Sequence, residues 1–175
     1  EDVEKIANRV NAKPKTAVVI GGGFIGVEIA ENLVHKGIPT TVVEAAPQVL
    51  APLDPEMATL VAKEMRKHGI ALHLGVSAKD VTPESVVLSD ATVLDADLVI
   101  MAIVVRPDTS LAKAAGLTIG IRGGIEVDDF NRTSNHDIYA VGDVIGWPSL
   151  ASSSYGQGRA VSGGIFGDEC RPVQD

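Results

Sequence analysis

Three glycines in the spacing Gly21-x-Gly23-x-x-Gly26 follow the apolar run Ala17-Val18-Val19-Ile20, and an acid, Glu44, closes the next apolar run. This residue set suits holding a pyrophosphate on backbone alone. Gly21 allows a sharp turn, Gly23 lets a phosphate approach the chain, and Gly26 lets a helix pack closely on a strand. The free N–H groups of the helix N-terminus then receive the negative charge. Glu44 lies 18 residues beyond Gly26, where a carboxylate accepts hydrogen bonds from adenosine ribose hydroxyls. It repels a 2′-phosphate, and Ala45-Ala46-Pro47-Gln48 offers no replacing cation, so NAD(H) is expected over NADP(H). The cofactor-binding set expected here is Gly21, Gly22, Gly23, Phe24, Ile25, Gly26 and Glu44. The competing reading is a glycine turn of the same fold that binds nothing. Glu28 on spacing alone reads slightly better as a solvated first-turn acid favouring the helix dipole.

The elements that must position these residues follow from periodicity. A helix is expected over residues 1–11, with Val3, Ile6, Ala7 and Val10 on one face. A buried strand is expected over 16–20 and a helix over 24–36, with Ile25, Ile29 and Leu33 beside Ala30 and Val34, stopped by Gly37. A strand follows at 40–43. Asp54-Pro55-Glu56 starts a helix with a buried stripe of Met57, Leu60, Val61 and Met65, ended by Gly69. Residues 70–74 form a third strand, 79–94 read as short antiparallel strands between turns, and 98–105 as a central strand. Beyond Arg106-Pro107 the expectation is a short helix around Leu111 and Ala112, broken by Gly116. A half-exposed strand through Ile125 and Val127 follows, then a strand at 138–141 closed by Gly142-Asp143. Residues 149–166 read as helical in part, weakened by Gly156, Gly158, Gly163 and Gly164.

Composition narrows the function. The chain has 175 residues, 45% of them hydrophobic but only 3% aromatic, so the core must be aliphatic, as in buried parallel sheets. A net charge of −8 argues against nucleic-acid binding, which is driven by Lys and Arg. One cysteine, Cys170, builds neither a disulfide framework nor a zinc quartet, and no metal site is expected. The longest apolar run, Leu98–Val105, is too short to span a membrane, and no signal peptide is visible, so a cytoplasmic location without a membrane partner is expected. His35 and His68 near helix C-termini, His73 by a strand and His136 in a turn read as ordinary surface residues. Trp147 and Tyr155 read as packing residues. No lysine follows Tyr155 at the Tyr-x-x-x-Lys spacing of flavin-independent short-chain dehydrogenases, which disfavours that class.

Several stretches together resemble the FAD-dependent pyridine nucleotide–disulfide oxidoreductases, most of all the branch holding coenzyme A disulfide reductases, NADH oxidases and NADH peroxidases. They are Val19–Glu28, Pro47-Gln48-Val49-Leu50, Leu53-Asp54-Pro55-Glu56-Met57, Arg106-Pro107-Asp108-Thr109, Gly123–Asp128 and Thr133–Asp143. The last resembles the family's second FAD motif. The resemblance implies an α/β fold: a Rossmann-like parallel sheet with an antiparallel β-meander crossover, followed by a partial FAD-domain segment. Residues 1–105 would be the NAD(H)-binding domain and 106–175 the C-terminal portion of an FAD-binding domain. It implies that Gly142 and Asp143 belong to the FAD site, Asp143 bonding the ribityl chain. It places Glu28 near the nicotinamide and flavin rings as a catalytic candidate. The implied reaction passes hydride from NAD(P)H to FAD, then electrons to a small-molecule disulfide, peroxide or oxygen, in an assembly that includes a homodimer among its implied forms. The family's first FAD glycine motif and its redox-active cysteine have no counterpart here, and Cys170 does not match the latter. The chain alone is therefore expected to bind NAD(H) without catalysing the reaction. Val104 and Ala91 stand where the family usually has glycine. The alternative is a non-catalytic NAD(H)-binding or sensing module.

Overall fold

A computed structural model describes residues 2–103, 106–146 and 149–167. The chain divides into two units, Glu1–Val104 and Val105–Asp175.

In the first unit, helix α1 (Asp2–Asn11) precedes strand β1 (Ala17–Ile20), helix α2 (Phe24–His35) and strand β2 (Thr40–Glu44). Helix α3 (Pro55–Lys67) leads to β3 (Ala71–Leu74), and β7 (Leu98–Met101) completes a parallel sheet of order β3-β2-β1-β7. Between β3 and β7 the chain makes an antiparallel meander, β4 (Ala78–Val81), β5 (Ser85–Leu88) and β6 (Val93–Asp95). The α/β class with parallel sheet and meander is as expected.

The sheet is aliphatic because both faces are covered. Side chains alternate along a strand. Ala17, Val19, Val42, Leu98 and Ile100 pack with Val10, Ala30, Leu33, Ala62 and Met65 of the helices. Val18, Ile20 and Val43 pack on the other face with Val86, Leu88 and Ala96. Leu88 is fully buried, a contribution of about 2 kcal/mol.

Several details differ from the sequence expectation. β7 is an edge strand of this four-stranded sheet and ends at Met101. Its apolar run reflects two covered faces, not a central position. The expected continuation through Val104 and Val105 lies outside the described residues. In α3 the buried face is Ala58, Ala62 and Met65, whose small first members allow close approach to the sheet; Met57 and Leu60 are exposed. Val3 of α1 and Ile25 of α2 are exposed as well. Ala91 adopts φ +70 in the β5–β6 turn, the left-handed conformation that glycine takes most readily. The Asp90 carboxylate accepts the Thr92 N–H there at 2.9 Å, which holds its pKa below the ordinary aspartate range.

The second unit has little regular structure. It contains helix α4 (Ser110–Ala114), a 3-10 helix (Gly142–Ile145) and helix α5 (Ala151–Phe166). The strands expected around Ile125 and at 138–141 are reduced to isolated bridges, Ile119↔Ile125 and Arg132↔Tyr139. Side chains satisfy the backbone locally instead. The Asp128 carboxylate takes the N–H groups of Phe130 and Arg132, both at 2.9 Å, in competition with a ladder. Helix α5 runs unbroken through its glycines, since its packing on the 3-10 helix outweighs propensity. Tyr155, expected to pack, is exposed, and Trp147 lies outside the described residues.

Candidate nucleotide-binding site

The glycine loop grows directly out of the sheet. The Gly21 N–H donates to the Val43 carbonyl at 2.8 Å, extending the β1–β2 ladder by one bond. Gly21 then turns at φ +114, and a side chain there would collide with the Ala102 carbonyl. A side chain at Gly26 would collide with the Gly21 carbonyl, so α2 rests on the loop itself.

Gly23 differs. It is the N-cap of α2, no side chain caps it, and a Cβ added to it meets nothing within 4 Å. An α-helix leaves its first N–H groups without intrahelical partners. Open space, an uncapped helix start and no acid in the first turn together fit a phosphate. Phe24 and Ile25 are exposed beside this opening.

Glu44, half-buried at the end of β2, uses both carboxylate oxygens on backbone. Oε2 accepts the Gly22 N–H at 2.6 Å and Oε1 accepts the Ala46 N–H at 2.7 Å. Each oxygen keeps a further lone pair for a ribose hydroxyl. The Gly22 carbonyl accepts the Leu50 N–H at 2.8 Å, so Glu44 and Leu50 hold Gly22 at its two backbone groups. Leu50, which entered the sequence reading only within the resembling stretch Pro47-Gln48-Val49-Leu50, is buried at φ +48.

Glu28 is not a first-turn acid. Phe24 opens α2, so Glu28 falls in the second turn, exposed on a groove between α1 and α2 beside Ile25, Ile29 and Asn32. His35 and His68 line a separate groove between α2 and α3. Among the described residues no group of His, Cys, Asp or Glu is arranged to hold a metal, and no helix is long and apolar enough to cross a membrane. Cys170 and Val104 lie outside the described residues.

In the second unit Gly142, at φ +78, opens the 3-10 helix and exposes the Asp143 carboxylate in its first turn. Its N–H donates to Oε1 of Gln157 at 2.7 Å, and Gln157 is 3% exposed. An exposed carboxylate on a fixed turn fits a polyol hydroxyl such as those of a flavin's ribityl chain. Gln157 was missed because glutamine in a glycine-rich stretch reads as a surface residue; its burial comes only from the α5 packing.

A family described as pyridine nucleotide-disulphide oxidoreductase matches residues 2–158. An NADH oxidase from Methanocaldococcus jannaschii is 43% identical over 135 residues, covering 75% of this chain and 30% of the relative. A dihydrolipoyl dehydrogenase from Geobacillus stearothermophilus is 32% identical, covering 88% of this chain and 35% of the relative. The crystal structure of reduced Bacillus anthracis CoADR-RHD superposes with a TM-score of 0.92 at 38% identity, covering 98% of this chain and 33% of that one. An NAD-dependent persulfide reductase from A. fulgidus gives 0.88 at 33% identity, over 97% of this chain and 34% of that one. The chain spans about a third of the length of these relatives. With the family's model matched over nearly its whole length, the chain belongs to the pyridine nucleotide-disulphide oxidoreductase family.

Proposed function

We propose that this chain is the NAD(H)-binding portion of a flavin-dependent NAD(P)H oxidoreductase, with residues 1–105 as the nucleotide domain and 106–175 as part of an FAD domain. The observation that carries this reading is the opening at Gly23 above an uncapped helix, with the Glu44 carboxylate fixed beside it. Backbone N–H groups of Gly23, Phe24, Ile25 and Gly26 receive the pyrophosphate. Gly21 and Gly26 keep the loop tight, and Glu44 accepts from the ribose and disfavours a 2′-phosphate. Glu28 orients the nicotinamide end. Gly142 and Asp143 hold the flavin's ribityl chain.

The flavin, when bound, supplies the two-electron relay between nicotinamide and acceptor; the protein contributes alignment and electrostatics. The names of the relatives, an NADH oxidase and a persulfide reductase among them, support an acceptor of the oxygen, peroxide or disulfide type. A cytoplasmic location and homodimeric assembly complete the reading.

The test is NADH fluorescence and oxidation with the 175-residue chain and added FAD. Saturable NADH binding without sustained oxidation is expected. Failure to bind NADH overturns the reading, and sustained oxidation would assign a complete catalytic centre to this chain.

A further inference from the structure

We propose that Gly22, the residue between the two glycines of the loop turn, determines cofactor specificity by admitting the Glu44 carboxylate against its own N–H, and that Glu44 and Leu50 together clasp the loop in that position. The inference deepens the NAD(H) reading and rests on it.

Three observations converge. The Glu44 carboxylate accepts the Gly22 N–H at 2.6 Å. A Cβ added at Gly22 would meet Glu44 Cβ, Cγ and Oε2 at 3.0, 3.1 and 3.2 Å, so the Glu44 side chain must give way by a few tenths of an ångström to admit it. The Gly22 carbonyl is taken by the Leu50 N–H at 2.8 Å, and Leu50 is held at φ +48, a conformation uncommon for a branched residue, with only 8% exposure. A non-glycine residue persists in a sparsely populated conformation only where its surroundings over-determine it. Gly22 is thus fixed through both its backbone groups, by the last residue of β2 at its N–H and by Leu50 at its carbonyl.

The consequence is selective. Gly22 has no positive φ, so alanine is conformationally acceptable there and its cost falls on Glu44. Displacing the carboxylate removes an acceptor from the ribose of NADH. It also relieves repulsion against the 2′-phosphate of NADPH.

The test has two parts, both on the 175-residue chain. Without nucleotide, amide exchange should show the Gly22 N–H protected in the wild type and faster by about tenfold or more in Glu44→Leu, whose side chain accepts no hydrogen bond. Exchange at the open-loop rate in the wild type, or no change in Glu44→Leu, overturns the clasp whether or not the chain binds nucleotide. With nucleotide, Gly22→Ala should raise the NADH Kd about tenfold while changing that of NADPH less than about threefold, the size expected for one charge-assisted hydrogen bond. Equal loss for both cofactors overturns the specificity role. A wild type that is clasped yet binds neither cofactor overturns the NAD(H) reading and the specificity role with it, leaving the clasp standing.

Discussion

The chain makes two glycine turns after apolar runs, Ile20–Gly26 and Val141–Gly146, and anchors them by different means. The first continues a parallel ladder through the Gly21 N–H and is closed by the backbone of Ala102, just past β7, and by the packing of Gly26 of α2 on the Gly21 carbonyl. It sits in a unit whose sheet is covered on both faces. The second follows a single bridge and relies on one buried side chain, Oε1 of Gln157, at the Gly142 N–H. Among the described residues of its unit the buried core is Ala112, Leu117, Ile125 and Ala140. The first turn has no room for a side chain at Gly21 or Gly26, where backbone already fills the space; the second depends on one side chain at its amide.

Adding a methyl group to the first turn should have the largest effect. Gly26→Ala forces the Cβ into the Gly21 carbonyl and should cost about 3 kcal/mol, read from denaturant unfolding of the first unit. Near-wild-type stability would show that this turn has slack and that the contrast is false. Removing the anchor of the second turn comes next. Gln157→Leu leaves the buried Gly142 N–H without its acceptor and should cost about 1–3 kcal/mol. Amide exchange should quicken over residues 112–146 while β1, β2 and β7 keep their protection. Equal loosening of both units would break the comparison. The smallest effect sharpens it within the first unit. Ala91→Gly at φ +70 should gain about 0.5–1 kcal/mol in thermal unfolding, because alanine is disfavoured in that conformation. A loss would mean that the β5–β6 turn gains more from a stiffer unfolded chain than it gives up in strain.

The same contrast explains what was legible in the sequence. Residues 17–26 were readable because strand, turn and helix are local, and Gly21 and Gly26 each have one steric reason to be there. The meander was readable from its alternation and turn residues. The faces of α1 and α3 were less so: apolar periodicity marked Val3, Met57 and Leu60 as core, yet Ala58 and Ala62 make the close approach to the sheet. The position of β7 at the sheet edge was invisible, because a strand covered on both faces is apolar wherever it stands in the order. In the second unit Ile125 and Val127 alternate like a strand. The Asp128 carboxylate and the Gly142 turn divert the backbone, and no periodicity records that. Gln157 and Leu50 act through backbone partners distant in sequence, which composition cannot show.

The opening at Gly23 is where the proposed function puts the pyrophosphate of NAD(H), and calorimetric titration of NADH and NADPH into the wild-type chain and Gly23→Ala measures that assignment. The added Cβ meets open space, so the variant should melt within about 2 °C of the wild type, the scale of a surface change. NADH should bind at least about tenfold more tightly than NADPH to the wild type, with NADH affinity lowered about tenfold or more in the variant. Unchanged NADH affinity in a folded Gly23→Ala chain would contradict it.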